Sequence, residues 1–134
     1  MNTKVNTLVL SLLLLISLSS FMAPSSITKW EQLGSRKVNF KVDRDVIKVG
    51  VDDGRFKKLK VVVRQGDLNM RSMTVHYGNG TSENIPLRFN FNTRSTSRVI
   101  DLKGNNRIIK KVVFVYDTDK RERRRARVTL FGKR

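Results

Sequence analysis

After Trp30 the chain alternates apolar and polar side chains in a period-two pattern. In RKVNFKVD, Val38, Phe40 and Val42 fall on one side, and Lys37, Asn39 and Lys41 on the other. FKKLKVVVR sets Leu59, Val61 and Val63 against Lys58 and Lys60, and NMRSMTVHY sets Met73, Val75 and Tyr77 against Ser72, Thr74 and His76. ENIPLRFNF opposes Ile85, Leu87, Phe89 and Phe91 to Pro86, Arg88 and Asn90, and ARVTLF opposes Ala126, Val128 and Leu130 to Arg127 and Thr129. One apolar and one polar face is the pattern of antiparallel strands with a core on one side and water on the other. The same parity rule turns Phe56 and Phe131 outward.

Turn residues separate the runs: Asp52-Asp53-Gly54, Gln65-Gly66-Asp67, Gly78-Asn79-Gly80, Asn92-Thr93-Arg94, Gly104-Asn105-Asn106 and Thr118-Asp119-Lys120. Short strands at this rhythm, with no amphipathic helix, predict an all-β antiparallel sandwich of about seven or eight strands, with the jelly roll as one form of it. VVFVY, Val112 to Tyr116, is apolar on both parities and belongs in the middle of a sheet. Pro86 has no N–H to give to a ladder and marks an edge strand or a bulge.

SRVIDLKGNNRIIKKVVFVY, Ser97 to Tyr116, reads as two strands around a turn. A two-residue turn at Asn105-Asn106 places Asp101 opposite Lys110 as a cross-strand ion pair. A three-residue loop through Gly104 shifts the register by one and places Asp101 against Ile109. Either way, Arg98 has the opposite parity from Asp101.

The N-terminal stretch MNTKVNTLVLSLLLLISLSSFMA breaks the alternation with an uncharged apolar run, Leu8 to Phe21, followed by small residues. It reads as a cleaved signal peptide over 1–23, with the cut between 19 and 25, ahead of one domain over 28–134. The reading makes the protein exported, periplasmic or secreted, with no transmembrane span once the leader is removed. The run is shorter than the ~20 apolar residues of a membrane span. No cysteine is present, which excludes disulfides and thiolate metal sites. The formal net charge is +17 and only one base, Lys4, leaves with the leader. Such an excess favours polyanions over neutral partners. Outside the cytoplasm these are anionic lipid, lipopolysaccharide, acidic polysaccharide or extracellular nucleic acid.

Little else reads as chemistry. His76, the one histidine of the sequence, falls on a polar strand face beside Ser72 and Thr74; a general base needs a nucleophile or an orienting acid nearby, and the residue is read as an exposed strand histidine. The acids cluster at Asp43, Asp45, Asp52 and Asp53 and again at Asp117 and Asp119; the first four could supply oxygens to calcium, but Arg44 and Arg55 compete for the same carboxylates, and Asp-Asp-Gly is also an ordinary turn. Asn79-Gly80-Thr81 matches a glycosylation sequon and is read as a hairpin turn. No catalytic residue, metal site or cofactor is assigned. The sharpest feature is KRERRRAR, with six bases among the eight residues Lys120 to Arg127. Lys120, Arg121, Arg123, Arg124, Arg125 and Arg127 are the candidate polyanion site, because the guanidinium fork pairs with phosphate and sulfate. The competing reading is a solvated charge run guarding a strand edge. Aromatic platforms interleaved with bases are not evident, so no specific nucleic-acid recognition is expected. Trp30 is read as capping the core, with a sugar-stacking platform as the alternative.

The pieces WEQLGSRKVNF, DRDVIKVGVDDGRFKKLKV, MTVHYGNG, SRVIDLKGNNRIIKKVVFVY and RARVTLFGKR span Trp30 to Arg134. Together they resemble a family of small exported bacterial proteins described only as a domain of unknown function. The resemblance implies a signal peptide, a compact β-rich domain and an envelope location. It brings no activity and no catalytic residues. The expected role is therefore a non-catalytic binding or structural domain of the envelope, and the alternative is an electrostatic polyanion-binding module using 120–127.

Overall fold

The computed structural model describes residues 29–38, 44–91, 94–117 and 126–134. Ten strands form among them: β1 (Glu31–Lys37), β2 (Arg44–Lys48), β3 (Arg55–Phe56), β4 (Lys58–Arg64), β5 (Leu68–Tyr77), β6 (Ser82–Phe91), β7 (Arg94–Thr96), β8 (Ile100–Asp101), β9 (Arg107–Asp117) and β10 (Arg127–Lys133). A single 3-10 turn, Val51–Asp53, joins β2 to β3. One sheet has the order β1-β10-β4-β7, with β8 beside β4, and the other β2-β9-β5-β6, with β3 beside β9. All the pairings are antiparallel.

The pairing is nested: β1 with β10, β2 with β9, β4 with β7 and β5 with β6. A long two-stranded ribbon wrapped around one core gives that nesting, which is the jelly-roll form of the sandwich. The sequence expectation of an all-β sandwich holds, and the two extra strands are β3 and β8, each of two residues.

Period-two alternation builds the core. Leu59, Val61, Val63, Val128 and Leu130 from one sheet meet Met73, Val75, Ile109, Val112 and Phe114 from the other, all with no exposed surface. β9 lies between β2 and β5, as its two-sided apolarity requires. β6 is an edge strand, and the register shifts by one residue beside Pro86, so both features expected of that proline are present.

Two expectations of pairing and parity fail where the chain passes between sheets. Ser97–Tyr116 is not a hairpin. Ile100 and Asp101 pair with Leu59 and Lys58 in the first sheet, and β9 lies in the second. Gly104 (φ 82) and Asn105 (φ 69) turn the corner in left-handed backbone conformations. Asp101 therefore meets Lys58, with Nζ 2.8 Å from Oδ1, and not Lys110. The arrangement lets Ile100, Leu102 and Ile109 enter the core from opposite walls, where a hairpin would have kept them on one. Phe56 does not face outward either. The chain leaves β9's side at Phe56 and joins the first sheet at Lys58, so parity is reset at Lys57 and Phe56 is fully buried. Its ring packs where Gly132 leaves room: a Cβ there would lie 2.7 Å from Phe56 Cδ1.

One acid, Asp45, lies partly buried at the margin of the core. Asp45 stands opposite Phe114 on the parity of buried Ile47. Its Oδ2 and the Tyr116 hydroxyl are shielded from solvent without hydrogen-bond partners. Burial pushes the Asp45 carboxyl above its usual range, against the charge of Arg36, and burial with the Asp45 charge pushes the Tyr116 phenol up. The folded protein thus holds the Asp45 proton more tightly than the unfolded chain does. The favourable contribution is full below the ordinary carboxyl value of about 4 and is lost as pH rises through the higher folded value. Asp45→Asn is expected to raise stability at pH 7 and to leave it nearly unchanged at pH 4. Urea midpoints between pH 4 and pH 8 check this, and a variant that gains nothing at pH 7 would place the carboxylate in water.

Candidate functional site

Of the six bases singled out in the sequence, Lys120, Arg121, Arg123, Arg124 and Arg125 lie outside the described residues, and Arg127 opens β10. What the fold builds around Arg127 was not legible beforehand. Residues directly opposite in an antiparallel ladder share a face. Lys37 stands opposite Arg127, Arg127 opposite Arg64, and Arg64 opposite Arg94. Four bases from four neighbouring strands thus form one exposed row with no acid between them. At the ~4.8 Å strand spacing the row is about 15 Å wide. The Arg64 guanidinium donates to the carbonyl of Val63 (3.0 Å) and that of Arg127 to the Ser35 hydroxyl (3.3 Å).

The next outward row is small and mostly hydroxylated: Ser35, Thr129, Val62 and Thr96. Ser35 Oγ and Thr129 Oγ1 are 3.2 Å apart. Beyond it Phe131 stands opposite Lys60, and in the last row Lys133 stands opposite Lys58, which pairs with Asp101. Asp101 is the one acid among the paired outward positions of this sheet.

Trp30 does not cap the core. It is partly buried just before β1, where the register leads to Lys133, and it sits with the lysines of the outer face. Lys60 Nζ lies 4.4 Å from the indole centroid and 5.6 Å from that of Phe131, and Lys133 Nζ lies 5.9 Å from Trp30. These are cation–π distances. The interleaving of aromatic rings and bases that the sequence did not reveal is therefore present, with Trp30 in the place that parity had given to Phe56. β1 and β10 come from opposite ends of the chain, which is why alternation could not find it.

The YGNG and KGNNR motifs meet at a different corner. The Gly78–Gly80 loop is a three-residue connection, with Gly80 at φ 87, and not a two-residue Asn-Gly turn. The Arg107 guanidinium stacks 3.7 Å from the Tyr77 ring centroid and donates to Lys103 O (2.7 Å), Thr81 Oγ1 (3.1 Å) and Asn79 Oδ1 (3.4 Å). The Tyr77 hydroxyl donates to Glu83 Oε2 at 2.5 Å, and the Lys103 N–H reaches the same oxygen at 3.2 Å. Burial and the Glu83 hydrogen bond push the Tyr77 phenol well up. A shallow cleft of about 220 Å³ opens beside this corner, between Val51, Arg55 and Ile108. The corner's polar groups answer one another, so the motifs clasp two turns together.

The other candidates stay apart. His76 lies on the outer face of the second sheet, opposite Lys111 and Ser82. Asp45 lies partly buried at the margin of the core, Asp53 caps its own turn through Gly50 N (2.9 Å), and Asp117 pairs with Arg71. Asp43 and Asp119 lie outside the described residues. Among the described residues, no three His, Cys, Asp or Glu side chains gather as a metal site.

A family model described as a domain of unknown function (DUF2541) matches residues 7–132. Comparison with curated protein sequences finds no match. Among solved structures, the chain is similar to AlgX of Pseudomonas aeruginosa, at 15% identity and a TM-score of 0.48 over 78% of this chain. It spans 26% of the AlgX chain. It is also similar to the coat protein of Tobacco streak virus, at 16% identity and a TM-score of 0.34 over 84% of this chain and 90% of that one.

Proposed function

The chain belongs to the family described as a domain of unknown function, DUF2541, and we propose that this member is a non-catalytic, exported β-sandwich domain that binds anionic polymers of the bacterial envelope along the outer face of its first sheet. The observation that carries the reading is the row Lys37–Arg127–Arg64–Arg94. Like charges placed directly opposite on adjacent strands oppose folding. An anion lying across the row turns that repulsion into attraction, and three of the four bases are arginines, whose forks pair with carboxylate, sulfate or phosphate. The formal charge of +17 draws any polyanion to the surface, and the row gives it a place to lie. Among the described residues no helix is long and apolar enough to cross a membrane.

A second reading places the contact in the basic run Lys120–Arg125, which leads in sequence into Arg127. Retention on a heparin matrix separates the two. The wild-type protein is expected to elute late, with binding that falls linearly in log salt. Arg64→Thr/Arg94→Thr is expected to elute at clearly lower salt. If only Arg123→Ser/Arg124→Ser/Arg125→Ser moves elution, the run is the site and the row is not.

A further inference from the structure

We infer that Trp30 forms a stacking subsite for a sugar ring, and that the anionic polymer is an acidic polysaccharide of the uronate class; this rests on the polyanion reading above. Lys60 and Lys133 stand against the Trp30 ring and belong to none of the pairs Lys58–Asp101, Arg71–Asp117 and Arg134–Glu31. The subsite therefore presents a partly buried aromatic ring with two ammonium groups held against it. It fits a ligand that carries its negative charge directly on a ring with an apolar face. A uronic acid does: its carboxylate is bonded to the pyranose carbon skeleton, and the ring's C–H face is free to lie on indole.

The rest of the face agrees with that choice. The hydroxyl-bearing row of Ser35, Thr129 and Thr96 lies between the aromatic subsite and the cationic row, and can exchange hydrogen bonds with sugar hydroxyls. From Arg127 to Lys133 is six steps along β10, or about 20 Å, so an oligosaccharide can reach both. Single-stranded nucleic acid fits less well. Its binders stack successive bases on successive rings, whereas Trp30 and Phe131 flank the same Lys60 and make one subsite. A phosphatidylglycerol headgroup offers charge without a ring to stack.

Trp30 is the sole tryptophan, so its emission reports on this subsite alone. The test titrates the folded protein with three probes of matched charge: a uronic-acid oligosaccharide, inorganic polyphosphate and single-stranded oligo-dT. Binding is followed by Trp30 emission and independently by calorimetry. The uronate oligomer is expected to shift the emission, and Trp30→Ala to weaken its binding about tenfold. Polyphosphate affinity should stay unchanged in Trp30→Ala, which also shows that the variant is folded, and Trp30→Phe should keep most of the uronate affinity. Equal uronate binding by wild type and Trp30→Ala overturns the subsite while leaving the polyanion reading intact. Dependence of oligo-dT, and not uronate, on Trp30 assigns the ring to nucleobases and also overturns it. Failure of the wild-type protein to bind any of the three overturns both readings together.

Discussion

Replacing Arg64 and Arg127 together with threonine is expected to make the protein more stable and a worse binder. The two arginines take part in all three like-charge oppositions of the row, Lys37 with Arg127, Arg127 with Arg64, and Arg64 with Arg94. Each such opposition costs on the order of 0.2–1 kcal/mol, and threonine suits a strand at least as well as arginine, so unfolding stability should rise by about 1 kcal/mol. Affinity for an anionic polymer at low salt should fall about tenfold or more, because two central contacts are lost. Denaturant midpoints and binding isotherms on the same samples check both halves. A variant that loses stability in step with affinity would mean that the row is supported by partners within the chain and serves the fold.

Phe56→Ala is the second large effect, and it separates the alternation reading from the fold. A phenylalanine turned outward would cost little on truncation, within about 0.5 kcal/mol. Phe56 has no exposed surface, packs against Gly132 and lies beneath the Arg134 guanidinium, 5.1 Å from the ring centroid. Truncation leaves a cavity between the sheets, and the expected loss is about 3–5 kcal/mol. For a domain of this size that is a large part of the total stability. A shift in the urea midpoint corresponding to less than 1 kcal/mol would return Phe56 to the surface and undo the placement of β3 beside β9.

Phe56 also shows how far the pattern of side chains could be followed. Parity is a local rule. It carried the inner faces of β4, β5, β6 and β10, the central place of Val112–Tyr116 and the edge place of Pro86, because each depends on a single strand. It broke at Lys57 and at Gly104-Asn105, where the chain changes sheets and the alternation restarts on the other wall. The Asp101–Lys110 pair failed for that reason, and Asp101 found Lys58, a residue 43 positions away. The cationic row was out of reach on the same ground. Lys37, Arg64, Arg94 and Arg127 are each the first or last residue of a strand, which sequence can suggest, but their alignment depends on the nested pairing of the jelly roll. The run 120–127 drew attention because its charge is contiguous. The row is as dense in space and scattered in sequence, and only Arg127 belongs to both.

The second sheet provides the control for total charge, since Arg44, Lys48 and Lys111 are bases on its outer side. The most direct measurement is the slope of log binding constant against log salt for a defined anionic oligomer. It is taken on the wild type, on Arg64→Thr/Arg94→Thr/Arg127→Thr, and on Arg44→Thr/Lys48→Thr/Lys111→Thr. Both variants lose the same charge. The row variant is expected to lose most of its affinity, with a slope shallower by about 2–3, while the second-sheet variant keeps the wild-type slope. Equal losses in the two variants would contradict that expectation, leaving only the overall charge of the chain to attract polyanions.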